Sequence, residues 1–147
     1  DKYIGDAVMA FWGAPDRIED APTRAVRAAI AIHEALAADN QERAATGLAP
    51  VRTRVGIHSG PLIVGDIGAP NRINYTVVGD VVNVAQRLES LGKEVDPLAE
   101  TIVLISEASK NGLDDTFELT RACRFRVKGK HKELEVYRIV FQTDTMG

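Results

Sequence analysis

Asp6 stands beside Gly5 in a short turn dipeptide. A carboxylate fixed at a sheet edge is a hard oxygen ligand, of the kind that holds Mg²⁺ together with substrate phosphates. The same dipeptide is also an ordinary turn signal, since Asp and Gly each favour turns for backbone reasons. Asn83 and Arg87 lie four residues apart, so on a helix they share one face. There an amide and a guanidinium could hold a hydroxyl and a phosphoryl oxygen, or simply form a solvated helix face. Lys128 and Lys130 flank Gly129. A Lys point charge suits a triphosphate, and a solvated hairpin tip is the alternative. His33, His58 and His131 fall on different elements, without the spacing of metal ligands. Cys123 has no His or Asn pattern near it that would make it a nucleophile. Walker-type loops, Gly-x-Ser-x-Gly and His-Glu-x-x-His are absent from the sequence.

These groups must be positioned by the elements around them. The chain reads as strand almost from Asp1, with a hairpin turn at Gly5-Asp6 and a second strand over 7–12 that puts Phe11 and Trp12 in the core. A long helix is predicted over 20–43, with Asp20 as N-cap, Pro22 in the first turn and Thr46-Gly47 as its end. Alternation over 51–59 predicts a half-buried strand that forms a hairpin with a second strand over 62–67. Residues 74–78 read as extended. Asp80 is predicted to cap a helix over 81–91, with Val84, Ala85 and Leu88 facing the core and Gly92 as the C-cap. A buried strand over 101–105, a short helix over 107–111 and a hairpin over 117–140 with Lys128-Gly129-Lys130 at its turn complete the reading. The predicted fold is an α+β sandwich, a mostly antiparallel sheet with helices on one face.

Length and composition agree with one globular domain over residues 1–147. Hydrophobic residues make up 45% and charged residues 27%, which argues against disorder. The net charge of −3 gives no bulk drive toward nucleic acid or an anionic membrane. The single cysteine excludes an internal disulfide and a multi-Cys zinc site. No apolar run approaches the roughly 20 residues of a membrane-spanning helix. The chain therefore reads as a soluble domain of a reducing, cytoplasmic compartment, or a soluble module of a larger protein that could be membrane-anchored. With no initiator Met and a strand at its first residues, it also reads as the interior of a longer polypeptide.

Four segments carry a resemblance: residues 2–10 (KYIGDAVMA), 55–60 (VGIHSG), 75–89 (YTVVGDVVNVAQRLE) and 127–130 (VKGK). In this order they closely resemble the class III adenylyl/guanylyl cyclase catalytic domain, over nearly the whole chain. The resemblance implies a ferredoxin-like core and a head-to-tail homodimer with its active sites at the subunit interface. It implies conversion of ATP to 3′,5′-cyclic AMP and pyrophosphate with two Mg²⁺ or Mn²⁺ ions per site, and covalently linked sensor or regulatory domains outside these residues. Asp6 matches the second of the family's two metal-binding aspartates, and Asn83 the asparagine that orients the ribose. Arg87 matches the arginine that stabilises charge on the α-phosphoryl group, and Lys128 the lysine on the triphosphate tail. Lys2 and Thr76 occupy the two base-reading positions; Lys there selects adenine, and Thr replaces an Asp found in many animal enzymes but is similar to many bacterial ones. A guanylyl cyclase is the alternative within the enzyme class, disfavoured by Lys2. An inactive cyclase-homology module for nucleotide binding or dimerisation is the alternative outside it, disfavoured by the presence of Asp6, Asn83, Arg87 and Lys128.

One departure bears on activity. The family's first metal aspartate lies on a strand upstream of Asp1, and Asp66 and Asp96 sit in other motifs. Mg²⁺ is poorly held by one carboxylate and phosphates. Residues 1–147 alone are therefore expected to form no cyclic AMP with Mn²⁺, while a chain extended upstream is active at matched concentration. Robust turnover by the short chain would place the second carboxylate within it.

Overall fold

The computed structural model describes residues 2–4, 7–12, 19–60, 63–66, 75–78, 80–126 and 133–141. The elements run β1 (Lys2–Ile4), β2 (Ala7–Met9), α1 (Ala21–Ala45), β3 (Thr53–Ile57), β4 (Ile63–Asp66), β5 (Tyr75–Val78), α2 (Asp80–Val95), β6 (Thr101–Ser106), α3 (Glu107–Lys110), β7 (Leu119–Arg126) and β8 (Glu133–Ile139).

Helix α1 follows from an Ala-rich run with Pro near its start. Its end is set by Gly47, whose φ of +78° is the left-handed conformation that glycine adopts without strain. Asp20 does not cap through its side chain; its carboxylate instead accepts from Arg24 Nε at 2.9 Å. Asn40 is buried on α1. It donates to the Val51 carbonyl and the Glu100 carboxylate and accepts from the Val51 amide, which ties the helix to the entry of β3.

The central sheet has the order β3-β6-β8-β7. β3 and β6 are parallel, and β8 is antiparallel to both β6 and β7. A hairpin of β3 with β4 is not formed: β3 pairs residue for residue with β6, and β4 pairs antiparallel with β5. A parallel pair needs a crossover, and the β4–β5 hairpin plus α2 supply it. The final hairpin is as expected, with Arg126 opposite Glu133.

The sheet is mostly antiparallel and α+β as predicted, but the helices cover both faces. Every residue of β6 is buried, and its side chains alternate between two cores. Val103 and Ile105 join Val26 and Ala29 of α1 with Ile139 and Phe141. Ile102 and Leu104 join Val84, Leu88 and Leu91 of α2 with Val136. A strand apolar on both sides has to be covered on both sides, and the run Ile102-Val103-Leu104-Ile105 carries that signal. Trp12 remains 37% exposed rather than in the core. Among the described residues β2 pairs only with β1, in a two-stranded sheet separate from the four-stranded one.

Helix α2 also runs past its predicted end, to Val95. Gly92 lies inside it because a Cβ there would come within 2.9 Å of Ile102 Cγ2. Gly56 of β3 is closer still to this helix. A Cβ at Gly56 would lie 2.3 Å from the Ala85 carbonyl oxygen and 2.5 Å from the Glu89 nitrogen. Gly56→Ala must push helix backbone away, so it is expected to lower stability by about 1–3 kcal/mol. Urea unfolding measures it, and a loss under about 0.5 kcal/mol would mean that the helix yields freely.

Candidate active site

Helix α2 starts with Asp80, whose negative charge suits the positive end of the helix dipole. Its apolar positions Val81, Val84, Leu88 and Leu91 repeat at three- and four-residue steps and are buried against the sheet. Asn83 and Arg87 lie one turn apart along the flank of that stripe, and both are exposed. The expected sharing of one helix face is therefore present. Burying the apolar stripe holds the helix down and leaves the amide and the guanidinium pointing away from the core.

The remaining candidates are placed less completely. Lys2 pairs with Met9 at the end of the β1–β2 hairpin. Ile4 pairs with Ala7, so the two strands are linked through Gly5-Asp6; that dipeptide lies outside the described residues. Thr76 sits opposite Gly65 in the β4–β5 pair, four residues before α2 begins. Lys128 and Lys130 fall between β7 and β8, outside the described residues. Among the described residues no three His, Cys, Asp or Glu side chains are gathered as a metal site.

Cys123 lies across from α2, among the apolar residues packed on Val84, Leu88 and Leu91. Burial pushes its thiol pKa up, Glu94 adds to that shift and Arg87 opposes it. A raised pKa leaves little thiolate, in line with its reading as a non-nucleophile.

One polar group was missed by the sequence reading. At the carboxyl end of β3, His58 Nδ1 lies 2.6 Å from the hydroxyl of Ser106, and Ser59 Oγ lies 2.8 Å from that of Ser109. Ser106 and Ser109 are fully buried, and the Ser106 hydroxyl also accepts from the Ser109 amide at the start of α3. This network ties the end of β3 to β6 and α3. Its signal in the sequence is the polar pair His58-Ser59 ending an alternating strand. His33, also outside any metal set, stacks on Phe141 with ring centroids 3.6 Å apart.

A four-stranded sheet covered by a helix on each face, with an Asn and an Arg exposed one turn apart on one of them, defines the α+β architecture of the chain. The family described as the adenylate and guanylate cyclase catalytic domain matches residues 2–140. The chain belongs to that family. It is 38% identical over 139 residues to adenylate cyclase 1 of Rhizobium meliloti (strain 1021), a match covering 95% of this chain and 20% of that protein. It is 37% identical to the adenylate cyclase of Anabaena cylindrica, over 95% of this chain and 27% of that protein. The chain thus spans about a quarter or less of these curated relatives. Among solved structures, the adenylyl cyclase CyaB from P. aeruginosa superposes with a TM-score of 0.79 at 30% identity, covering 97% of this chain and 71% of that one. The guanylyl cyclase Cya2 superposes with the same TM-score, 0.79, at 28% identity, covering 95% and 68%. No helix among the described residues is long and apolar enough to cross a membrane.

Proposed function

We propose that this chain is the catalytic domain of an adenylate cyclase, converting ATP to 3′,5′-cyclic AMP and pyrophosphate. The observation that carries the reading is the presentation of Asn83 and Arg87, exposed and one turn apart, on a helix held by a buried stripe. In the reaction the ribose 3′-oxygen forms a bond to the α-phosphorus as the bond to pyrophosphate breaks. Asn83 orients the ribose, so that the 3′-oxygen approaches in line. Arg87 meets the charge that builds on the α-phosphoryl oxygens, an interaction strongest in the transition state. Lys128 neutralises the triphosphate tail, and Lys2 and Thr76 read the base. Little further chemistry is required of the protein, since phosphoryl transfer depends mainly on positioning and electrostatics.

Asp6 supplies a hard carboxylate oxygen, which suits Mg²⁺ or Mn²⁺ and would hold such an ion jointly with substrate phosphates and a second carboxylate. Two bound ions would activate the 3′-oxygen and neutralise the leaving group. A head-to-tail homodimer, linked sensor or regulatory domains and a cytoplasmic setting complete the proposal. Equal TM-scores with an adenylyl and a guanylyl cyclase leave the base to be argued from side chains, and Lys2 favours adenine. Cyclic AMP formed from ATP by the full-length polypeptide with Mn²⁺ tests the reading. Nucleotide binding without turnover would make the domain a binding module instead.

A further inference from the structure

We propose that Arg54 is a positioning residue for Asn83 and Arg87, holding α2 in one rotation on β3 at a depth set by Gly56. This rests on the role proposed for α2. The two atoms nearest a Cβ at Gly56 are the Ala85 carbonyl oxygen and the Glu89 nitrogen, the two ends of a single helical i to i+4 hydrogen bond. Arg87 lies at the middle of that turn. Backbone therefore rests on backbone beneath the Arg87 turn, with Leu88 Cβ the next atom, 2.9 Å from the same point.

Such a contact fixes depth but lets the helix roll. Arg54, two residues before Gly56 on the same strand, opposes the roll at two points. Its Nε donates to Glu89 Oε1 at 3.3 Å. Its stem lies in the notch at Gly92, where a Cβ would meet Arg54 Cγ at 3.3 Å and Cβ at 3.4 Å. Arg54 thus grips α2 one turn apart, along the side of the helix that faces β3. A helix with its side chains has a radius of about 5–6 Å, so a roll of about 10° shifts an outward group by about 1 Å. Misplacement by about 1 Å can cost about 10²-fold in rate.

Both partners of the ion pair are 39% exposed. An exposed pair contributes little to stability, so loss of the grip separates activity from folding. In the full-length protein, R54Q and E89Q are each expected to lower kcat to below a fifth of wild type, with KM for ATP within about twofold. Tm should fall by no more than about 4 °C. R54K, which keeps stem and charge, should recover at least half of wild-type kcat. The double variant R54Q/E89Q should be no worse than the poorer single variant, because both remove one contact. Alkylation of Cys123 by iodoacetamide, followed on its own peptide, reads the seating of α2 without any turnover. It is expected to quicken at least threefold in R54Q.

Single variants that keep a fifth or more of wild-type kcat overturn the proposal. So do losses that multiply in the double variant, a larger drop in Tm, or failure of R54K to recover. If the wild-type protein forms no cyclic nucleotide, the functional reading fails, and the Cys123 rate alone decides whether Arg54 seats the helix. An unchanged rate then overturns the seating as well.

Discussion

Arg87→Ala in the full-length protein is expected to lower kcat for cyclic AMP formation by about 10²- to 10³-fold while KM for ATP moves only a few-fold. In the proposed role the guanidinium meets the further charge that builds on the α-phosphoryl oxygens as the α-phosphorus accepts the 3′-oxygen, so its loss falls mainly on the transition state. Misfolding would not account for such a loss, because Arg87 is exposed and the buried stripe of α2 is untouched. Surface changes of this kind usually alter stability by under about 0.5 kcal/mol. The same substitution removes the charge that opposes the upward shift of the Cys123 thiol, so that thiol should titrate still higher. Steady-state kinetics decide the matter: a variant keeping more than about a tenth of wild-type kcat would remove Arg87 from the reacting centre.

Lys2→Glu combined with Thr76→Ala is expected to raise kcat/KM for GTP relative to ATP by at least about tenfold. An ammonium donates to an acceptor on adenine, whereas a carboxylate accepts from the N1–H and amino group of guanine. Leaving a buried polar partner unpaired costs about 1–3 kcal/mol, enough to invert a preference of that size. Both positions lie on paired strands, Lys2 opposite Met9 and Thr76 opposite Gly65, so their backbone ladders survive the exchange. Competition between the two nucleotides gives the ratio directly, and an unchanged ratio would show that these positions do not read the base.

The helices were legible because their signals are local. The Ala-rich run ending at Gly47 and the apolar repeat through Val84 and Leu88 needed no partner to be recognised. The face shared by Asn83 and Arg87 followed from the same repeat. Pairing of β3 was misread because Gly60-Pro61 suggests a turn, whereas the true partner, β6, lies beyond a hairpin and a helix. Gly92 was read as a helix end because its close approach to Ile102 is a tertiary fact. Covering of both sheet faces stood written in the unbroken apolar run of β6, but the alternating strands around it point toward a one-sided sheet. The grip of Arg54 on Glu89 was beyond reach, since nothing local links residues thirty-five apart in sequence.

β6 contributes neighbouring residues to different cores: Ile102 and Leu104 belong to one, Val103 and Ile105 to the other. The strand acts as a shared spine, with both cores packed on one backbone. Loosening the α1 side shifts the same backbone that seats the α2 side, and cooperativity between the two is built into a single pleat. A mutation in the core under α1, on the face that carries no proposed site residue, can therefore reach α2 through the thickness of one strand. That spine offers a route by which strain applied to α1 would bias the helix proposed to do the chemistry.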